Sequence, residues 1–228
     1  VVERFKGRVN LPGALSALNG LAETLLGLAD TILSKFMWLF IIAGVVLSCM
    51  HQSSLGSLML IAPTKLHPLW YTPILPLLFL SSAIAVGYPM VVFETTLATT
   101  SLKLDSEMNV LSPLTRITIF LLGVYLALKI GDMVIRETYV YLLDGTAQTN
   151  SFLVEMIFGV IVPWIMLLSP AVRRSRRWLS IACTLIVGGV LLNRINVFVV
   201  GYRPPVSENY YFPSVTEILI TVGFIAGL

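Results

Sequence analysis

Long apolar runs, broken by short polar, proline-rich or basic stretches, dominate the chain. Five runs, at about 36–60, 74–98, 114–140, 150–170 and 178–200, can each cross a bilayer core of ~30 Å at a helical rise of about 1.5 Å per residue. A sixth run starts near Ser214 and continues to Leu228, about 22 Å of helix. Helices satisfy their own backbone groups, whereas an open sheet in lipid would not. The pattern therefore predicts an all-α integral membrane protein, a polytopic helical bundle of about five complete transmembrane helices plus a truncated sixth. Residues 9–34 are smaller and mildly amphipathic, which suits a cytoplasmic-side interfacial helix; a packed soluble helix is the alternative. Residues 1–8 read like the exit of a preceding helix. The organisation divides at 1–35 and 36–228, and the chain reads as the C-terminal portion of a larger membrane protein. No period of 20 to 50 residues points to a solenoid.

Composition sharpens this picture. Apolar residues make up 57% and charged residues 12% of the chain, with a mean hydropathy of +0.89, so too little polar surface remains to coat a soluble globule. The net charge of +3 does not imply nucleic acid, because the basic residues sit at helix ends without an aromatic-interleaved stripe. Arg4, Lys6, Arg8, Lys35, Lys103, Arg116, Arg173, Arg174, Arg176 and Arg177 fall on one side of the predicted bundle, against Lys65 and Arg203 on the other. By the positive-inside rule the RRSRR loop at 173–177 is cytoplasmic, and the loops 60–76 and 201–213 face outside. Both outer loops are rich in proline and aromatic residues, which suits either docking of a partner or simple anchoring at the headgroups.

The candidate chemistry lies in ionisable groups at membrane depth, each of which costs several kcal/mol (estimates start at ~2.5) unless it is paired or hydrated. His51 and Asp132 lie roughly 14 and 12 Å below the outer end, and Arg194, Glu155 and Glu217 about 9, 7 and 5 Å below it. Glu94 sits ~30 Å away, near the cytoplasmic side. Lys129, Asp132 and Arg136 share one helical stripe, which is either a self-neutralising ion-pair ladder or a proton relay or anion site facing a wet cavity. Glu155 and Glu217 open their helices, where a carboxylate suits the dipole. Arg194, between Asn193 and Asn196, needs an acid, and Glu155 or Glu217 is the expected partner. Pro89 kinks the helix that carries Glu94. Glu94 either reaches the headgroups or admits protons, and His51 is either structural or a proton shuttle. Gly44 with Ser48, and Ala83 with Gly87, read as helix-packing contacts.

Two cysteines do not make an iron–sulfur site, and His51 and His67 are too differently placed for a bis-histidine haem. No P-loop, GxGxxG or CxxC motif occurs. The sequence offers no catalytic residue and no metal ligand set.

The block HQSSLGSLMLIAPTKLHPLWYTPILPLLFLSSAIAVGYPMVVFE (51–94) resembles the NrfD/PsrC family of polysulfide reductase membrane subunits, on its HybB-like and DsrP- or HmcC-like side. LKIGD (128–132), Glu155, Arg194 and YFPSVTEIL (211–219) support the likeness, which covers roughly 36–228. The resemblance implies a cofactor-free subunit of a respiratory complex in the bacterial or archaeal inner membrane. Such a subunit exchanges electrons between menaquinone or menaquinol and a periplasmic four-cluster iron–sulfur subunit, with further redox subunits and lipids as neighbours. His51 and Glu94 match positions that are polar in the family and lie where a proton route would run. With the depth arithmetic, the expectation is that protons move between Glu94 and the outer group of His51, Asp132, Glu155, Arg194 and Glu217. The quinone pocket falls largely outside this segment, with His51 the candidate contact inside it. Hydrogenase-linked and sulfate-reducing respiration are the implied settings. The rival readings are a passive membrane anchor and, against the missing inverted repeat, a secondary transporter.

Overall fold

The computed structural model describes residues 19–61, 63–102, 108–203 and 213–227. Its helices are α1 (Asn19–Leu60), α2 (Leu75–Ser101), α3 (Met108–Ile135), α4 (Ala147–Leu168), the short α5 (Pro170–Arg174), α6 (Arg176–Val200) and α7 (Val215–Ala226). Five of them are long and apolar enough to cross a bilayer, within Gly27–Leu60, Leu75–Ser101, Leu111–Ile135, Ala147–Leu168 and Arg176–Val200, and α7 is a shorter apolar helix. The all-α bundle expected from the sequence is the one observed. Residues 1–18 of the N-terminal segment lie outside the described residues. The described part of α1 runs from Asn19 to Leu60.

The chain separates into two compact units, one up to Ser48 and one from Cys49. In the second unit α2 packs on α3 and α6, and α4 packs on α6 and α3, which gives a four-helix ring. Its interior holds Phe79, Leu122, Leu167, Leu179 and Ile186, all buried. The last residues of α1 lie against the start of α2, where a Cβ on Gly56 would come 2.8 Å from the Pro76 Cα.

Local chemistry sets the helix ends. Pro76 stands in the first turn of α2, where its missing N–H costs nothing. The Thr146 hydroxyl accepts the Thr149 amide to cap α4. Ser214 and Glu217 form a capping box on α7, satisfying orphan donors at both positions. The α3 helix stops at Ile135, short of the expected boundary at 140, because Glu137 adopts a left-handed conformation with φ of 55° and a 3₁₀ turn follows over Thr138–Leu143.

Two helices contain a π turn, Ile157–Ile161 in α4 and Asn196–Val200 in α6. Between them α4 and α6 come into backbone contact: a Cβ on Gly159 would lie 2.5 Å from the Gly189 Cα. Small residues thus pack helices here as expected of a membrane bundle, but at a different pair. Gly44 and Gly87 have nothing within 4 Å of an added Cβ. At the far end of the bundle the Arg176 guanidinium donates to the hydroxyls of Thr99 (2.7 Å) and Thr100 (2.9 Å), which ties the start of α6 to the end of α2.

Candidate functional site

Glu155 is the centre of the polar core. It is 1% exposed, and about 12 Å along α4 from Ala147 at the helical rise. It does not open its helix as the sequence suggested, because α4 begins two turns earlier, at the Thr146 cap. The helix-dipole explanation for its charge therefore falls away. Three neutral donors hold it instead: the Asn193 amide on Oε1 at 2.7 Å, and the Asn196 amide and the Trp70 indole N–H on Oε2 at 2.8 and 3.0 Å. Asn193 and Asn196 are three apart on α6 and so share a face. Glu155 directly precedes one π segment by two residues, and Asn196 opens the other. Such turns recur at functional sites because they re-aim the flanking side chains.

Trp70 belongs to a loop that folds onto the bundle. Leu66 pairs with Tyr202 in a short antiparallel bridge, the His67 amide donates to the Gly201 carbonyl at 2.8 Å, and the Arg203 amide donates to the Lys65 carbonyl at 2.7 Å. From there four consecutive loop residues each meet one ionisable side chain. The Leu69 carbonyl accepts from Lys129 at 3.5 Å, the Trp70 indole donates to Glu155, the Tyr71 carbonyl accepts from Arg136, and the Thr72 hydroxyl donates to Asp132 at 2.7 Å. Lys129 is buried, with its ammonium 5.3 Å from the centre of the Phe152 ring. Asp132 and Arg136 pair at 3.4 Å one turn apart. The stripe on α3 is thus only partly an ion-pair ladder, since its three members also bind the loop.

Arg194 hydrogen-bonds to four neutral acceptors among the described residues. Its guanidinium donates to Gln52 Oε1 (3.1 Å), Asn193 Oδ1 (2.7 Å), the Phe79 carbonyl (3.2 Å) and Ser82 Oγ (2.8 Å). It also lies 3.7 Å from the centre of the Phe79 ring. The link to an acid passes through Asn193, whose amide donates to Glu155. A neutral bridge keeps the positive charge near the buried carboxylate without a contact ion pair.

The structure therefore gathers Asp132, Glu155 and Arg194 around the loop, with Lys129 and Arg136 beside them. No hydrogen bond joins His51 or Glu94 to this group among the described residues. His51 and Glu94 are exposed, and Glu217 is occupied with the Ser214 cap, its carboxylate accepting the Ser214 amide at 3.1 Å. Trp70, Gln52, Ser82 and the carbonyls of 69 and 71 were not marked by the sequence reading. The only signal for Trp70 was an indole in a proline-rich loop, where anchoring at the headgroups was an equal explanation.

His67 lies in the same loop, outside the spans. Its Nδ1 accepts the Leu69 amide at 3.3 Å, and its ring meets Trp70 and Tyr141 edge-on at 6.0 and 5.8 Å. Burial and, secondarily, the Arg203 charge hold its pKa below the ordinary 6.5, opposed by Asp144. It therefore stays neutral at neutral pH, with the acceptor nitrogen available.

Comparison with known proteins places this chain in a family. Residues 7–205 match the family model described as Polysulphide reductase, NrfD. A protein of Nitratidesulfovibrio vulgaris strain Hildenborough is 36% identical over 203 residues, covering 85% of this chain and 52% of its own length. The probable Ni/Fe-hydrogenase 2 b-type cytochrome subunit of Escherichia coli K12 is 31% identical over 198 residues, covering 85% of this chain and 50% of its own. The chain spans about half the length of these curated relatives. No solved structure matches it.

Proposed function

This chain belongs to the polysulphide reductase NrfD family, and we propose that it is part of a membrane subunit of a respiratory oxidoreductase complex. In that reading the subunit exchanges electrons between menaquinone or menaquinol and a periplasmic iron–sulfur subunit docked on the 63–74 and 201–203 side, and it moves protons through the bundle. Quinol oxidation releases protons together with electrons. The electrons leave to the partner's clusters and the protons need acceptors, which is the role assigned to this chain.

The observation that carries the proposal is the Glu155 carboxylate. It is sealed in the bundle, held by neutral donors, and tied through Trp70 to the loop that would meet the partner. A purely structural charge at this depth is costly. Its three donors are neutral amide and indole groups, so no cation is in contact with the carboxylate through these bonds. Asp132, Lys129 and Arg136 lie on the loop side of Glu155, and Arg194 tunes it through Asn193. Glu94, ~28 Å along α2 from Leu75 at the helical rise, is the proposed proton entry from the RRSRR side. His51, next to Gln52, and Glu217 complete the outer group of the proposed route.

The Escherichia coli relative is described as a b-type cytochrome subunit. A bis-histidine haem does not fit this segment, because His51 is exposed on α1 and the His67 Nδ1 is engaged by the Leu69 amide. No step is assigned to haem here.

The test uses the native complex. Its subunits are identified by mass spectrometry and its quinone by extraction, and protons moved per electron are measured in proteoliposomes. A co-purifying iron–sulfur subunit with bound menaquinone, and loss of proton movement in Glu155→Gln and Glu94→Gln, are expected. A passive anchor predicts lower stability with unchanged proton movement in both variants, and that result overturns the route.

A further inference from the structure

Beside Glu155 lies a cavity of about 10 Å³, about the least space that holds one water. Gly159 and Gly189, whose backbones touch where α4 and α6 cross, are part of its lining. Its polar lining is Glu155, Tyr125, Ser82 and Asn193. Two of these are committed in part, each keeping a second lone pair. Ser82 donates to the Phe79 carbonyl and accepts from Arg194, and Asn193 donates to Glu155 and accepts from Arg194. Glu155 accepts three bonds, whereas a carboxylate offers about four acceptor sites. Tyr125 is buried at 5% exposure, within electrostatic reach of Glu155 and Arg194, and makes no direct hydrogen bond among the described residues.

The cavity also has a direction. Leu122 precedes Tyr125 by one turn on α3, Gly159 and Val160 follow Glu155 on α4, and Val190 precedes Asn193 on α6. All four displacements lead away from the 63–74 loop, toward the end where Arg176 clamps α2. Gly159 is about 18 Å along α4 at the helical rise, near the middle of a ~30 Å core.

We propose that this cavity is a single-water site, in which one ordered water bridges the Glu155 carboxylate and the Tyr125 hydroxyl, and that Tyr125 is the group through which Glu155 exchanges protons with the far end of the bundle. The inference rests on the proton route proposed above and names its next member. A hydroxyl and a water each donate and accept, so a proton passes along them by exchange of bonds. The Asn193 amide and the permanently charged Arg194 cannot do this. The neighbouring glycines and aliphatic side chains confine the water to one position. Ser82 and Asn193 supply its remaining polar contacts, within the two to four that a buried water typically makes.

Three variants of the whole complex in proteoliposomes test this, together with a high-resolution map of the unaltered complex. Tyr125→Phe removes the hydroxyl and keeps the ring. Val160→Ile adds one methylene to the lining and displaces the water. Glu155→Gln tests the underlying route. Expected are water density between the Tyr125 hydroxyl and Glu155, and a rate of proton movement about 100-fold lower in Tyr125→Phe and Val160→Ile, the lower end of the effect of one proton-transfer group. If Glu155→Gln stops proton movement while Tyr125→Phe and Val160→Ile do not, the water site is overturned and the route stands. If Glu155→Gln moves protons normally, the route fails and this inference with it. Should Tyr125→Phe fail to assemble, Val160→Ile and the map decide: normal proton movement in Val160→Ile, or a dry cavity, overturns the proposal.

Discussion

The indole N–H of Trp70 donates to Oε2 of Glu155 at 3.0 Å, across 85 positions of sequence. This single bond joins the 63–74 loop to the most deeply buried carboxylate among the described residues. Replacing Trp70 with Phe keeps the ring contacts with His67 and Phe152 but removes one of three donors to a buried charge. The expected loss is about 1–3 kcal/mol, read as a lower unfolding temperature of the complex in detergent. Trp70→Ala, which also empties a fully buried site, should cost more, about 3–5 kcal/mol.

The crossing of α4 and α6 should tolerate no added atom. In Gly189→Ala the new Cβ would stand 2.3 Å from the Gly159 Cα, backbone against backbone, and only a helix shift relieves it. A loss of about 3 kcal/mol or failure to assemble is expected for Ala at either glycine. Gly188→Ala, with nothing within 4 Å, should be neutral or slightly stabilising. Expression and monodispersity of the three variants by size-exclusion chromatography check this contrast.

Arg194 should resist the substitution that preserves its charge. Four acceptors in different directions and the Phe79 ring are matched by the planar guanidinium, whereas an ammonium is a point charge on a flexible stem. Arg194→Lys is expected to lower stability by about 2 kcal/mol, since at least one buried acceptor is left unmade. Chemical denaturation of the reconstituted chain measures it. A Lys variant as stable as the parent would show that charge alone, and not the fork of donors, holds the site.

The loop should loosen in acid through His67. Its folded pKa is depressed, so the unfolded chain binds more protons than the folded one as pH falls. The contribution is fully present above the ordinary 6.5. It shrinks as pH drops below that value toward the lower folded pKa, where the protonated Nδ1 can no longer accept the Leu69 amide. Hydrogen exchange at the amides of 67–71 should speed up between neutral and mildly acidic pH. In His67→Gln this acid dependence should flatten.

His51→Ala and Glu94→Gln should leave stability within about 0.5 kcal/mol. Both side chains are exposed, and neither has a polar partner among the described residues. Thermal melts of both variants beside the proton assay separate a role in transport from a role in folding.

The apolar runs determined the architecture. Twenty or so consecutive apolar residues leave the backbone no alternative to a helix in lipid, so the bundle and its approximate spans were legible from hydropathy. The depth arithmetic also marked Asp132, Glu155 and Arg194, because an ionisable residue inside such a run stands out one residue at a time. What pairs with what was not legible. The sequence named Glu155 or Glu217 for Arg194, and the fold sets Asn193 between Arg194 and Glu155, since the rotation of α6 about its axis decides which neighbour faces the guanidinium. It could not show that Trp70 reaches Glu155, because a loop's path depends on contacts such as His67 with Gly201, 134 positions apart. Nor could it reveal that Gly159 rather than Gly87 makes the close crossing. Hydrophobicity acts over any apolar surface and leaves its mark on composition. Hydrogen bonds and backbone approach demand a few ångströms and an angle, and only the packed helices decide those.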